Sequence, residues 1–175
     1  MSGPAPTPVT QQSWWRRRVL APLMAQLRQG TSPKMIAVTV AAGCVLSLFP
    51  ILGSTTILCG IVAAAFGLNQ PLIQTVNYLL YPAQIALLFP LYRAGEWLFQ
   101  QPPVPLFSLT ELTARFWNSP GQFFIDYGLV AVYGIVAWAL IALPTFALLV
   151  VLLHAPIRTL AARMRRAEPA SAVHE

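Results

Sequence analysis

The sequence has very little charge, and its charged residues are absent from two long stretches. Only 9% of the residues are charged, and the 58 residues from Met35 to Tyr92 include no Asp, Glu, Lys or Arg. A second uncharged run extends from Tyr127 to Ile157. A charged side chain at the centre of a bilayer costs about 2.5–3.5 kcal/mol, whereas a soluble domain gains nothing by excluding charge over such lengths. This pattern excludes an ordinary soluble domain and predicts a helical membrane protein.

Residue types that perform catalysis or bind metals are also scarce. The two cysteines, Cys44 and Cys59, lie inside the first uncharged run, and the two histidines, His154 and His174, lie near the C-terminus. No combination of them has the spacing of a zinc site, and buried cysteines usually pack as small apolar residues. We therefore expect no metal, no cofactor and no catalytic residues, and a protein that is not an enzyme.

The net charge of +6 comes from basic residues at both ends of the chain. Five Lys and Arg residues precede Met35 and four follow Ile157, while only two lie between them. The positive-inside rule therefore predicts a multi-pass protein of the bacterial inner membrane with both termini in the cytoplasm. Because the basic residues form no broad face, we expect no binding to nucleic acid.

Composition divides the chain into four parts. Residues 1–13 are rich in Pro, Ser, Thr and Gln and are predicted to be a disordered tail. Residues 14–30 are predicted to form a basic interfacial helix, with a charged linker as the alternative. Residues 31–157 form the predicted membrane domain, and residues 158–175 a basic cytoplasmic tail.

Proline and glycine predict a broken helix at the start of the membrane domain. Ser32 and Pro33 are typical of a helix start, and this helix is predicted over residues 33–48. Pro50 and Gly53 interrupt it, and a second helix is predicted over residues 55–66. Each piece is only about 18–24 Å long, which favours a re-entrant hairpin. The alternative is one long kinked helix.

The rest of the chain is predicted to contain two full spans and a short helix between them. The first span covers residues 71–99, with a kink at Pro82. Ser108 and Glu111 have the spacing of a capping box, which predicts a short amphipathic helix that ends before Pro120. The last span covers residues 124–153. The predicted fold is therefore an all-α polytopic membrane protein with a broken-helix hairpin, two full spans and interfacial amphipathic helices.

Polar residues repeat along the first of these spans. Their spacings of 4, 3, 4 and 3 place them within an arc of about 80° on one helix face. The five are Gln70, Gln74, Asn77, Tyr81 and Gln84. A polar face on a membrane helix lines a substrate path or holds neighbouring helices together, and the pattern leaves both open.

Two further features are candidates for binding an anion. The hydroxyl groups of Ser54, Thr55 and Thr56 lie at the start of the second helix, where the helix dipole favours negative charge; the alternative is an ordinary capped turn. Arg93 lies at the outer end of the first span, where it can contact a headgroup phosphate or pair with Glu96 on the surface.

The landmarks of this region resemble an uncharacterised bacterial membrane family, domain of unknown function 2062, over about residues 30–99. They are Ser32-Pro33, Ala37, Gly43, Pro50, Gly53, Asn69, Tyr81-Pro82, Tyr92 and Gly95-Glu96. Many members of the family have Asn-Pro where this chain has Tyr81-Pro82. The family has no settled activity, although some relatives are fused to glycosyltransferase domains, which implies work near lipid-linked sugars.

Two functions follow from these features. The first is transport or binding of an anionic lipid or small solute, through the polar helix face and the break, by a protein that contacts membrane lipids and forms a homo-oligomer. The second is a non-catalytic membrane scaffold or assembly factor, in which the polar face only joins helices.

Overall fold

The structure, a computed structural model, describes residues 31–104 and 108–167, and every regular element in these residues is an α-helix. The helices are α1 (Pro33–Leu46), α2 (Thr55–Phe66), α3 (Gln70–Leu98), α4 (Leu109–Asn118) and α5 (Pro120–Ala167). The predicted all-α class is thus confirmed for this part of the chain. The predicted tail and interfacial helix of residues 1–30 lie outside the described residues.

Local capping interactions set the ends of the first three helices. Ser32 accepts a hydrogen bond from the Met35 N–H at 3.2 Å, as a residue preceding a helix commonly does. Gly67 ends α2 in the left-handed conformation, with φ at 62°. Asn69 then accepts from the Leu72 N–H at 2.9 Å and starts α3. These signals are local in the sequence, so the predicted starts at residues 33 and 55 match those observed.

The connection between α1 and α2, residues 47–54, is not helical. Pro50 and Gly53 lie in the connection, and Gly53 has a φ of 81°, a conformation that costs glycine little. Ser54 lies at the N-cap position of α2, but its hydroxyl makes no capping bond. It donates instead to the Ile51 carbonyl at 2.8 Å, so the capping role predicted for Ser54 is replaced by a bond within the turn.

Only α3 and α5 are long and apolar enough to cross a membrane among the described helices. With 29 residues, α3 is about 43 Å long, against about 30 Å for the hydrocarbon core. The shorter α1 and α2 have 14 and 12 residues. The re-entrant arrangement of these two helices stays a prediction.

The last helix is longer than predicted. Instead of covering residues 124–153, α5 starts at Pro120 and continues without interruption to Ala167. Pro144 and Pro156 lie within it. A membrane helix tolerates proline when neighbouring groups satisfy the freed carbonyls, and neither residue ends α5. The last ten residues of α5 lie in the segment that was predicted as a cytoplasmic tail.

The helices pack around α1, which contacts both α3 and α5. At one end of the molecule, Ile36 of α1, Leu72 of α3 and Ile157 of α5 belong to one buried cluster. Farther along, Trp138 of α5 donates its indole N–H to the Val45 carbonyl at 3.1 Å. Thus α5 runs antiparallel to both α1 and α3.

Two glycines allow α3 and α5 to cross closely. A Cβ atom on Gly95 would overlap the backbone of Tyr133 and Gly134, and a Cβ on Gly134 would lie 2.5 Å from the Tyr92 ring. Only hydrogen fits at these two positions, so glycine here serves close helix packing. Neither Gly95 nor Gly134 has another glycine three, four or seven residues away in the sequence, so no glycine spacing indicated this crossing.

Candidate functional site

The polar face of α3 is directed largely at the α1–α2 hairpin. The amide of Gln70 donates to the Gly60 carbonyl at 2.9 Å, and the amide of Gln74 donates to the Thr56 carbonyl at 3.0 Å. Both acceptors belong to α2. The side chains of these two predicted site residues therefore link α3 to backbone carbonyls of α2.

Asn77 and Gln84 are the buried members of the same face, with 4% and 2% of their surface exposed. Asn77 Nδ2 donates to Thr56 Oγ1 at 3.2 Å, and Gln84 Nε2 donates to the Phe49 carbonyl at 2.9 Å. A buried amide without a partner is costly in an apolar environment, and these bonds remove much of that cost. Gln84 thereby holds the connection between α1 and α2 against α3.

Tyr92 extends this contact and was not predicted as a site residue. Its hydroxyl donates to the Pro50 carbonyl at 2.6 Å. The sequence signal was present, since Tyr92 is one of the family landmarks, but nothing local showed that it reaches a proline 42 residues earlier. Together Gln84 and Tyr92 hold the adjacent residues Phe49 and Pro50 against α3.

Tyr81 is the exception among the five polar residues. It is 49% exposed, and Tyr78, one turn earlier, is 65% exposed. Neither hydroxyl has a hydrogen-bond partner within the described ranges. The α3 face thus divides into an inner part that bonds to α2 and to the connection before it, and an outer part, Tyr78 and Tyr81, that is largely exposed.

The three hydroxyl residues at the start of α2 lie near the polar face of α3, which Thr56 contacts through Asn77. They do not form an open anion site. Thr55 is 4% exposed, the Thr56 hydroxyl accepts from Asn77, and the Ser54 hydroxyl donates to Ile51. The hydroxyl groups of Ser54 and Thr56 are thus engaged within the protein, in a turn that Ser54 does not cap, and they form no open cradle for phosphate.

Arg93 pairs with Glu96, which was the second of the two alternatives predicted for this residue. Arg93 Nη1 and Glu96 Oε2 are 2.6 Å apart. The pair is not on the surface, because the Glu96 side chain is only 3% exposed. Arg93 also donates to the Val104 carbonyl at 3.1 Å, and Glu96 accepts from the Val104 N–H at 2.9 Å. The pair ties the loop after α3 back onto the helix end, while the Arg93 side chain stays 32% exposed.

A cavity of about 650 Å³ lies between α1, α2 and α5 and was not predicted. Its wall is almost entirely apolar and includes Met35, Val38, Ala42, Leu46, Val62, Phe66, Trp138, Ala142, Leu143 and Phe146. The only charged residue among its lining residues is Lys34, in the first turn of α1. We refer to this cavity as the α1–α2–α5 groove.

Within residues 31–104 and 108–167 there is no group of three His, Cys, Asp or Glu residues close enough to hold a metal ion. The two described cysteines are free thiols, with Cys59 buried and Cys44 half-buried. The site can therefore hold an apolar or amphiphilic molecule, and the described residues offer no clustered groups for acid–base or metal chemistry.

A sequence profile described as "Uncharacterized protein conserved in bacteria (DUF2062)" matches residues 16–166. The chain belongs to this family. The predicted resemblance is confirmed, and the match extends beyond residues 30–99 to include α4 and nearly all of α5. No curated protein and no solved structure gives a significant match.

Proposed function

We propose that this protein is a multi-pass protein of the bacterial inner membrane that binds an anionic lipid and has no enzymatic activity. The observation that carries the proposal is the α1–α2–α5 groove, a cavity of about 650 Å³ with an apolar wall and a single lysine at one end. Binding sites for apolar ligands have this volume and lining.

The length of the groove fits one acyl chain. Its lining residues extend along α1 from Ser32 to Leu46, a distance of about 21 Å at 1.5 Å per residue. One leaflet of the hydrocarbon core is about 15 Å thick. An acyl chain from a single leaflet can therefore lie in the groove over its whole length, with its headgroup at the Lys34 end.

The charge at that end favours an anionic headgroup. Lys34 lies in the first turn of α1, where the helix dipole adds positive potential. Arg158 and Arg163 follow Ile157, which packs against the same end of α1. A basic residue near the surface adds about 1 kcal/mol to the attraction of anionic lipid, so this end of the groove suits a phosphate-containing lipid.

The distribution of charge along the molecule supports the proposed orientation. Lys34, Arg158 and Arg163 lie at the end formed by the start of α1 and the C-terminal part of α5, whereas Glu96 and Asp126 lie beyond the opposite end of the apolar region. The positive-inside rule then assigns the Lys34 end to the cytoplasm and the lipid to the cytoplasmic leaflet.

The test is native mass spectrometry of protein released from nanodiscs of equal parts phosphatidylglycerol and phosphatidylethanolamine. We expect wild-type protein to retain one phosphatidylglycerol. Val38→Trp fills the groove and should remove this lipid, whereas Ile61→Trp, on the exposed face of α2 and outside the groove, should not. Retention of lipid by Val38→Trp, in protein with wild-type thermal stability, would contradict the proposal.

The headgroup preference has its own matched pair of variants. Lys34→Gln should reduce the preference for phosphatidylglycerol by about fivefold, corresponding to about 1 kcal/mol per basic residue. Arg163→Gln removes a basic residue at the same end that does not line the groove and should change the preference less. Equal effects of the two variants would mean that general surface charge, and not the groove, selects the lipid.

The second candidate function is a non-catalytic scaffold, favoured by a different observation. The amides of Gln70, Gln74, Asn77 and Gln84 all donate to the α1–α2 hairpin. A polar face used in this way stabilises a fixed arrangement of helices. A scaffold of this kind would retain no specific lipid in the nanodisc experiment, so the same measurement separates the two functions.

A further inference from the structure

The outer part of the polar face on α3 presents two tyrosines at an unusual depth. Tyr78 and Tyr81 are 65% and 49% exposed, and Ile85, on the same face within about 60° of arc, is 52% exposed. The uncharged part of α3 extends from Gln70 to Tyr92, so Tyr81 is its central residue. Tyrosine ordinarily lies at the membrane interface, where its hydroxyl group is hydrated.

Neither hydroxyl can reach water from this position. The uncharged part of α3 is about 34 Å long at 1.5 Å per residue, so Tyr81 lies roughly 16 Å and Tyr78 roughly 12 Å from its nearer end, farther than a tyrosine side chain extends. No described residue bonds to either hydroxyl. Pro82 adds an acceptor to the same region, because a proline has no N–H to donate to the Tyr78 carbonyl four residues earlier.

We infer that a second copy of this chain packs on the α3 face formed by Tyr78, Tyr81 and Ile85. A tyrosine hydroxyl both donates and accepts, so two copies related by a twofold axis satisfy each other's hydroxyl groups and Tyr78 carbonyls. This self-complementarity is what a twofold interface requires. Lipid tails offer no such partner, and a different protein would need matching groups at the same depth.

The face is separate from the lipid groove. It lies on α3, which supplies no residue to the α1–α2–α5 groove. Association through α3 therefore leaves the groove open to lipid in each copy, and the inference does not depend on the proposed function.

Cysteine crosslinking in native membranes tests the location of the interface. Ile85→Cys is placed in a background with Cys44→Ala and Cys59→Ala, and a bifunctional thiol reagent is added. We expect covalent dimers. Leu148→Cys is the matched control, because Leu148 is a similarly exposed apolar residue, 57% against 52%, on α5, and it should give none. Absence of dimers at position 85, or equal yields at both positions, would overturn the inference.

The role of the hydroxyl groups is tested separately, by subunit counting in liposomes at increasing lipid dilution. Tyr78→Phe combined with Tyr81→Phe keeps both rings and should raise the dimer dissociation constant by about sixtyfold, the equivalent of four membrane hydrogen bonds of average strength, two donated by each copy. Tyr133→Phe makes the same chemical change on α5 and should leave the constant unchanged. Wild-type protein that is monomeric, or a double variant that associates as wild type, would show the inference to be wrong.

Discussion

At the scale of single residues, the protein places buried amide side chains on a helix that is long and apolar enough to span a membrane. Asn77 and Gln84 are nearly inaccessible, yet each has a partner on the hairpin. Within the described residues, no buried side-chain nitrogen or oxygen lacks a hydrogen bond. This complete pairing explains how a face with several polar groups is compatible with an apolar surrounding.

The first prediction concerns Asn77→Leu. This change keeps similar bulk but removes the bonds to Thr56 Oγ1 and Gln74 Oε1, at 3.2 and 3.4 Å. If the face joins helices, the free energy of unfolding should fall by about 1–2 kcal/mol, measured by denaturation in mixed micelles, while the retained lipid stays bound.

Thr75→Val is the control, since the Thr75 hydroxyl donates only to the Pro71 carbonyl in its own helix. Its effect should be smaller. If Asn77→Leu instead keeps wild-type stability and loses lipid binding, the face lines a substrate path, which is the alternative function predicted for it from the sequence.

At the scale of the helices, the break between α1 and α2 is the element with the most specific contacts. The amide of Gln84 reaches Phe49 on one side of Pro50, and the hydroxyl of Tyr92 reaches Pro50 itself. Both donors lie within the uncharged part of α3, before Arg93. These contacts hold the break beside the apolar length of α3, short of the charged residues that follow it.

The second prediction is that the break does not emerge on the far side of the membrane. Cysteines at Ile51 and Ser54, in a background without Cys44 and Cys59, should resist a membrane-impermeant thiol reagent added from outside. The reason is that the contacts to α3 keep the break below the level of Arg93. Labelling rates in intact spheroplasts provide the measurement.

A cysteine at Gln101 is the positive control, because this exposed residue lies in the loop after α3 and should react quickly. Rapid labelling of both Ile51→Cys and Ser54→Cys, at the rate of Gln101→Cys, would establish two conventional membrane crossings by α1 and α2 in place of a re-entrant hairpin.

At the scale of the whole molecule, charge and packing agree on which ends lie together. The start of α1, the start of α3 and the residues around Ile157 share one buried cluster. Lys34, Arg158 and Arg163 are therefore brought to one end. The even number of crossings predicted from the sequence is compatible with this arrangement, and two helices of sufficient length are present in the described part of the chain.

The third prediction follows from this arrangement. A reporter that is active only in the cytoplasm should be active when fused to either terminus. The same reporter inserted in the loop after α3, at Pro103, should be inactive. Reporter activity is compared at equal protein abundance in the membrane. An active N-terminal fusion beside a silent C-terminal fusion would contradict the even number of crossings.

The sequence by itself determined the presence of helices long and apolar enough to span a membrane, the family and most helix ends. The reason is that these depend on short-range physics. A charge-free run reports the apolar surrounding directly, and Ser32, Gly67 and Asn69 act on backbone groups within a few residues. Residues 124–153 were predicted as the last span, and α5 extends past them at both ends, with Pro144 and Pro156 inside the helix.

Only the tertiary structure decided what the polar residues contact and where a cavity forms. Gln84 reaches a carbonyl 35 residues away and Trp138 one that is 93 residues away, and no local pattern encodes such distances. The close crossing at Gly95 and Gly134 sets how α3 and α5 pack. The α1–α2–α5 groove needs three helices to form its wall. Such features depend on the relative positions of helices, which local sequence preferences do not fix.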